Sequence, residues 1–214
     1  MFKIRLFSLI LFFQKQEALT KAEKTRQMII ETAAPLLNEK GIAGTSIDDI
    51  LRVTKVAKGC LYSHFENKET LSYAMVDYLL QKVSLYIFEK LAKEKTGKMK
   101  LFAFMNIYKN PLNPPIDGGC PILNFATETD DTNPVIRQKV KVIIQKSIQL
   151  IADIVNKGIA EKEFSADFNA GEFALKMFAL LEGGMMICRA TNSNKQMNSI
   201  INMLQQEIES YQMQ

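Results

Sequence analysis

Apolar residues recur along most of this chain at intervals of three and four, the spacing of one face of an α-helix. Met28, Ile29, Ala33, Leu36 and Leu37 mark a first helix over residues 20–40. Pro35 lies inside it and removes a backbone donor, which predicts a bend, and Gly41 supplies a C-terminal stop. Thr45, with Asp48 three residues on, approximates a capping box and predicts the start of a short second helix ending near Val53. Ile47, Ile50 and Leu51 form its inner face. A tight turn, Thr54-Lys55-Val56, leads to a third helix at about residues 57–65. Asn67 then caps a long fourth helix over residues 68–92, with Leu71, Met75, Tyr78 and Leu79 along its length.

Further helices are predicted over residues 99–109, 120–130, 135–160, 168–189 and 195–211. Pro111, Pro114, Pro115, Gly118 and Gly119 crowd one connection, which reads as a loop. Pro121 and Pro134 stand at first-turn positions, where the missing N–H costs nothing. No period-two alternation is sustained, so the expected class is all-α. Hydrophobic residues at 47% and charged residues at 23% support a packed core over disorder.

Two short helices joined by a tight turn and followed by a long one make the helix-turn-helix layout. Charge changes the picture here. The net charge of +4 is weak evidence for nucleic acid. Between residues 52 and 68, however, Arg52, Lys55, Lys58 and Lys68 face only Glu66, whereas the two signs nearly balance from residue 70 onward. The second short helix, placed in a major groove, would present Lys58, Gly59, Cys60, Tyr62, Ser63 and His64, with Leu61 and Phe65 anchoring it.

The run Thr45-Ser46-Ile47-Asp48-Asp49-Ile50, Val56, Lys58-Gly59, Leu61-Tyr62, His64-Phe65, Asn67-Lys68-Glu69 and Leu71 closely resembles the TetR family of transcriptional regulators. The resemblance spans about residues 24–71. It implies a homodimer on a pseudo-palindromic double-stranded DNA operator, released by a small-molecule effector, acting in the cytoplasm, with no enzymatic activity and no cofactor. It also implies phosphate contacts from Thr45, Tyr62, His64 and Lys68. Lys58 and Gly59 would meet backbone and base edges, and Cys60 and Ser63 would join in reading sequence. Lys55 stands where the family has a turn glycine, and would carry left-handed strain or add a phosphate contact. Ala57 replaces a serine cap, Leu51 a small alanine and Cys60 a threonine or serine.

Two domains are expected after an extra segment 1–19: a DNA-binding domain 20–68 and an effector-binding and dimerisation domain 69–214. Lys3 and Arg5 followed by the apolar run 6–13 resemble a signal peptide. That run is too short to span a membrane and lacks a small-residue cleavage site. A tail from a misassigned start is the expectation, with no membrane partner. In the last domain Phe102, Cys120, Asn124, Phe125, Glu128, Met177 and Phe178 are candidate effector-pocket residues, with Asn124 or Glu128 as the polar handle. Leu175, Ala179, Gly183 and Met186 on one helix, in a stripe that also includes Phe178 and Glu182, and Ile201, Leu204 and Ile208 on the next, are candidates for the dimer interface.

Other chemistries are thinly represented. His64 is the only histidine, so no multi-histidine metal site or Ser-His pair is expected. Cys60, Cys120 and Cys188 are far apart, which argues against a disulfide framework or zinc site. Cys120, opening a helix where a thiolate would be stabilised, supports an alternative reading: a redox-responsive regulator sensing through Cys120 or Cys60. A helical enzyme processing small molecules is the remaining alternative, without a nucleophile–base pair to support it.

Overall fold

The computed structural model describes residues 20–213. The basic-apolar start and the expected tail lie outside the described residues. Within them the chain forms helices α1 (Lys21–Gly44), α2 (Ile47–Thr54), α3 (Lys58–His64), α4 (Lys68–Leu91), α5 (Gly97–Ile107), α6 (Pro121–Thr129), α7 (Pro134–Ala160), α8 (Ala170–Thr191) and α9 (Lys195–Ser210). One isolated antiparallel bridge, Phe164 to Gln212, ties the α7–α8 connection to the C-terminal end. None of these helices is long and apolar enough to cross a membrane.

Local chemistry explains the helix ends. Thr20 and Glu23 form a reciprocal capping box at α1. The interior break in α1 falls at Gly41 (φ 77°, ψ 170°) and not at Pro35 as the bend was predicted. The expected stop at Gly41 is therefore a kink, after which a short turn runs on to Gly44. Asn67, Asn133 and Asn169 cap α4, α7 and α8 by accepting backbone N–H groups.

Ile29, Ile30, Ala33, Ala34 and Leu37 of α1 pack against α4, joining the buried faces of α2 and α3 through Ile50 and Leu61. Met28, expected on that inner face, is 39% exposed. α4 continues away from the first three helices to pack on α5, α6 and α7, and α8 packs between α7 and α9. A stacked Phe168–Tyr211 pair, with ring centroids 4.3 Å apart, closes the far end.

Candidate DNA-binding surface and effector region

α2 is positioned by Ser46, whose hydroxyl accepts the Asp49 N–H (3.0 Å) while the Asp49 carboxylate accepts the Ser46 N–H (3.2 Å). Hydrogen bonds from the Ser46 hydroxyl and amide, with Lys40 nearby, hold the Asp49 carboxyl down to about 2. This corrects the assignment of the cap to Thr45 and Asp48. Thr45 is fully buried, and its hydroxyl donates to the Gly41 carbonyl (2.6 Å). Its side chain is thus withdrawn from the surface expected to meet phosphate, and Ser46 is the exposed hydroxyl there.

Lys55 ends α2 in the left-handed region (φ 58°, ψ 21°), with its N–H donating to Leu51. A non-glycine residue there costs about 1 kcal/mol or more. Its side chain is exposed, and neither Lys55 nor Lys58 forms an ion pair among the described residues. Arg52 and Lys40, by contrast, are both engaged by Asp49.

α3 starts at Ala57, which offers no side-chain cap. Leu61 and Phe65 are buried and fix its inner face, as the spacing predicted. Sequence reasoning missed Arg26, whose guanidinium lies 4.8 Å over the Phe65 ring and pins α3 to α1. The outer face carries Lys58, Gly59, Tyr62 and Ser63, all exposed, flanked by half-buried Cys60 and His64. Ser63 donates its hydroxyl proton to the Cys60 carbonyl (2.7 Å), leaving it an acceptor toward solvent. A Cβ built on Gly59 meets no atom of the described residues within 4 Å. Lys68, half-buried at the start of α4, adds a cation at the rim.

The expected polar handles of the effector pocket do something else. The Glu128 carboxylate accepts the N–H groups of Ile42 (3.0 Å) and Ala43 (2.9 Å). Those amides follow the break at Gly41 and so lack helical acceptors. Asn124 donates to the Asn38 carbonyl (3.1 Å) and side-chain oxygen, and to Gly118. Asn38 in turn donates to the carbonyls of Asp117 (2.6 Å) and Gly119 (3.1 Å). Glycine is required on both sides of this joint. A Cβ on Gly41 (φ 77°) would sit 3.0 Å from the Glu128 carboxylate, and one on Gly118 (φ 88°) would sit 2.7 Å from the Asn38 backbone. Asn124 and Glu128 therefore fasten α6 and its preceding loop to the end of α1.

Of the other expected pocket residues, Phe125 and Met177 are fully buried in the core, and Phe178 is nearly so. Phe102 is half-buried beneath Lys98. Cys120 borders a cavity of about 30 Å³ lined by Val83, Tyr86, Ile107, Tyr108, Ile116 and Met185, among others. Behind it lies Glu182, 7% exposed, whose Oε1 accepts from the Tyr108 hydroxyl (2.9 Å) and the Cys120 thiol (3.2 Å). Its Oε2 has no hydrogen-bond partner among the described residues. Burial, then the Glu182 charge, pushes the Cys120 thiol well above its usual range, and burial raises Glu182. The thiolate expected at the start of α6 is thus disfavoured, because burial outweighs the amides of Leu123 and Ile122. A larger cavity of about 570 Å³ opens elsewhere, floored by Phe88, Leu91, Leu150 and Ile154 and rimmed by charges of both signs.

The expected dimer residues divide. Leu175 (58% exposed) and Met186 (55%) stand out from α8 with exposed Ala179 and half-exposed Gly183. Ile201, Leu204 and Ile208 are buried within the chain, a correction: the apolar stripe of α9 packs against its own α8. Ile187 and Met203 are exposed apolar residues that the sequence reading missed.

Comparison with known proteins gives this geometry its family. Residues 29–75 match the family profile described as bacterial regulatory proteins, tetR family. Residues 97–204 match the tetracyclin repressor-like C-terminal domain. A TetR-family transcriptional regulator from Cytophaga hutchinsonii is 35% identical, with a TM-score of 0.84 over 92% of this chain and 99% of that one. One from Chloroflexus aurantiacus is also 35% identical, with a TM-score of 0.85 over 91% and 98%. The HTH-type transcriptional regulator TtgR of Pseudomonas putida is 27% identical over 173 residues, 76% of this chain and 79% of that protein. With the profile matches covering most of its length, this chain belongs to the TetR family of DNA-binding transcriptional regulators.

Proposed function

We propose that the chain binds a pseudo-palindromic operator as a homodimer in the cytoplasm and is released from it by a small organic effector. The outer face of α3 carries this reading. It presents Lys58, with Lys55 in the turn just before it, both outside any ion pair among the described residues, beside a glycine that no contact among those residues requires. Tyr62, His64, Lys68 and Lys55 hold the phosphates, while Lys58, Cys60 and Ser63 face the base edges. Two copies would place their α3 helices about 34–36 Å apart, one turn of DNA.

Selection of bound fragments from sheared host DNA, at several salt concentrations, tests it. One short palindrome with affinity falling steeply in salt is the expected result. Lys58→Ala lowers affinity and relaxes the preferred sequence, whereas Lys55→Ala, at a phosphate, lowers both affinity and the salt slope, the latter by about one. A folded dimer that enriches no sequence at any salt overturns the reading.

The joint between α1 and α6 supports a route for release. It is the place where a shift of the 111–120 loop would reach the DNA-binding helices, through Asn38, Ile42 and Ala43. Glu128→Ala removes two charge-assisted hydrogen bonds from a half-exposed site, for a loss of about 1–3 kcal/mol in stability. Operator affinity falls too, but the salt slope stays unchanged because no phosphate contact is lost. Equal affinity in Glu128→Ala and wild type would remove this joint from the mechanism.

A further inference from the structure

Glu182 is an acid that nothing described so far employs. It is the one acidic residue between Phe173 and Cys188 on α8, in an otherwise apolar run broken only by Lys176. Its Oε1 takes both available donors, Tyr108 and Cys120, while Oε2 is left buried with none. An uncompensated carboxyl in the interior is costly in either protonation state. The two donors that touch Oε1 are themselves wall residues of the cavity at Cys120. The remaining walls are apolar or aromatic, including Val83, Tyr86, Ile87, Ile107 and Met185, and no charged side chain lines it.

We propose that Glu182, with Tyr108 and Cys120, is the polar anchor of a binding site for a compact organic ammonium ion with an apolar body. The ammonium group would supply the donor that Oε2 lacks and the charge that a buried carboxylate lacks. The apolar body would occupy the space bordered by Val83, Ile107 and Met185. This deepens the effector reading above and rests on it for its regulatory consequence, though not for binding itself.

The cavity now has room for about one water molecule, so a ligand must widen it. The movable wall is the loop that contributes Pro114, Pro115, Ile116 and Gly119. The same loop offers the carbonyls of Asp117 and Gly119 to Asn38, and Gly118 lies against the Asn38 backbone. A ligand that pushes this wall outward therefore disturbs the attachment of α1. Ammonium binding and loss of the operator-binding arrangement are linked through one short segment.

The test titrates the full chain with benzylamine, benzyl alcohol and benzoate, probes of matched shape that differ in charge and donor capacity. Isothermal calorimetry reads binding, and melting temperature confirms folding. Benzylamine is expected to bind wild type at least tenfold more tightly than the alcohol, and benzoate not at all. Glu182→Gln is expected to lose at least tenfold in benzylamine affinity. Equal binding of amine and alcohol, or an undiminished affinity in a folded Glu182→Gln, overturns the site and points to the larger cavity instead. If Glu182→Gln does not fold, a tenfold loss of benzylamine affinity in Asp153→Asn, at the rim of the larger cavity, overturns it equally. Benzylamine bound through Glu182 without operator release would uphold the site and defeat the effector reading. Intact operator binding with no amine bound would defeat the site and leave the operator-binding reading standing.

Discussion

Leu175→Glu is expected to convert the proposed dimer to monomers and to lower operator affinity more than a hundredfold. Leu175, Ala179, Gly183 and Met186 recur at three- and four-residue intervals on α8, with Ile187 alongside and Met203 of α9 also exposed. Such a face on a folded chain calls for a partner, and a twofold axis lets the same stripe meet its copy. The adjacent glycines separate the two roles of α8. A Cβ on Gly184 would come within 2.7 Å of Ile200, so the fold itself needs that glycine for α8 to meet α9. A Cβ on Gly183 meets nothing within 4 Å, although glycine inside a helix costs about 0.5–1 kcal/mol relative to alanine. Close approach of a second α8 in the proposed dimer would supply the missing reason. In an isologous interface the substituted carboxylate appears twice, and each unpaired buried charge costs several kcal/mol. A monomer then meets one half-site and forfeits the factor of about 10²–10⁴ that linked binding contributes. Sedimentation velocity and operator titration read the two effects. A Leu175→Glu protein that stays dimeric would place the interface on another face.

The helices were legible because each carries its own period and punctuation, down to Pro121, Pro134 and the cap at Asn67. What the sequence left open was settled by contacts between distant residues. Thr45-Ser46-Ile47-Asp48-Asp49 contains two overlapping hydroxyl-to-acid frames, Thr45 with Asp48 and Ser46 with Asp49. Local chemistry does not choose between them; the break at Gly41 does, by turning Thr45 inward to that residue's own carbonyl. The stripe of Ile201, Leu204 and Ile208 shows one apolar face without saying whose surface it covers. Asn124 and Glu128 were expected to meet a ligand because polar groups beside apolar ones suit a pocket. Their partners lie more than eighty residues earlier in the chain, and no spacing rule reaches that far. Glu182 left a readable trace, as a lone acid in an apolar stretch, but only the unpartnered oxygen gives it a chemical role.

Gly59→Ala is expected to raise the melting temperature and to weaken operator binding in the same protein. α3 has seven residues, no side-chain cap at Ala57, and Leu61 as its one buried side chain, so its helix is held mainly by tertiary anchors. A glycine near the start of such a helix works against it. Replacing it with alanine contributes about 0.5–1 kcal/mol, a shift of about 1–4 °C for a protein of this length. Nothing inside the chain opposes the added methyl group, since no atom lies within 4 Å of the new Cβ. On DNA the situation reverses. Lys58 and Tyr62, four residues apart on one side of α3, and Gly59 and Ser63 on the next, form the surface that must approach the groove. A methyl group on that surface would hold the helix back and lengthen its hydrogen bonds to DNA, at a cost of about 1–3 kcal/mol, the magnitude of one good base contact. Differential scanning calorimetry and operator titration on one preparation read the two signs. A rise in stability with unchanged affinity would move the docking face away from Gly59. A fall in stability would mean that the glycine serves the fold and not the approach of α3 to DNA.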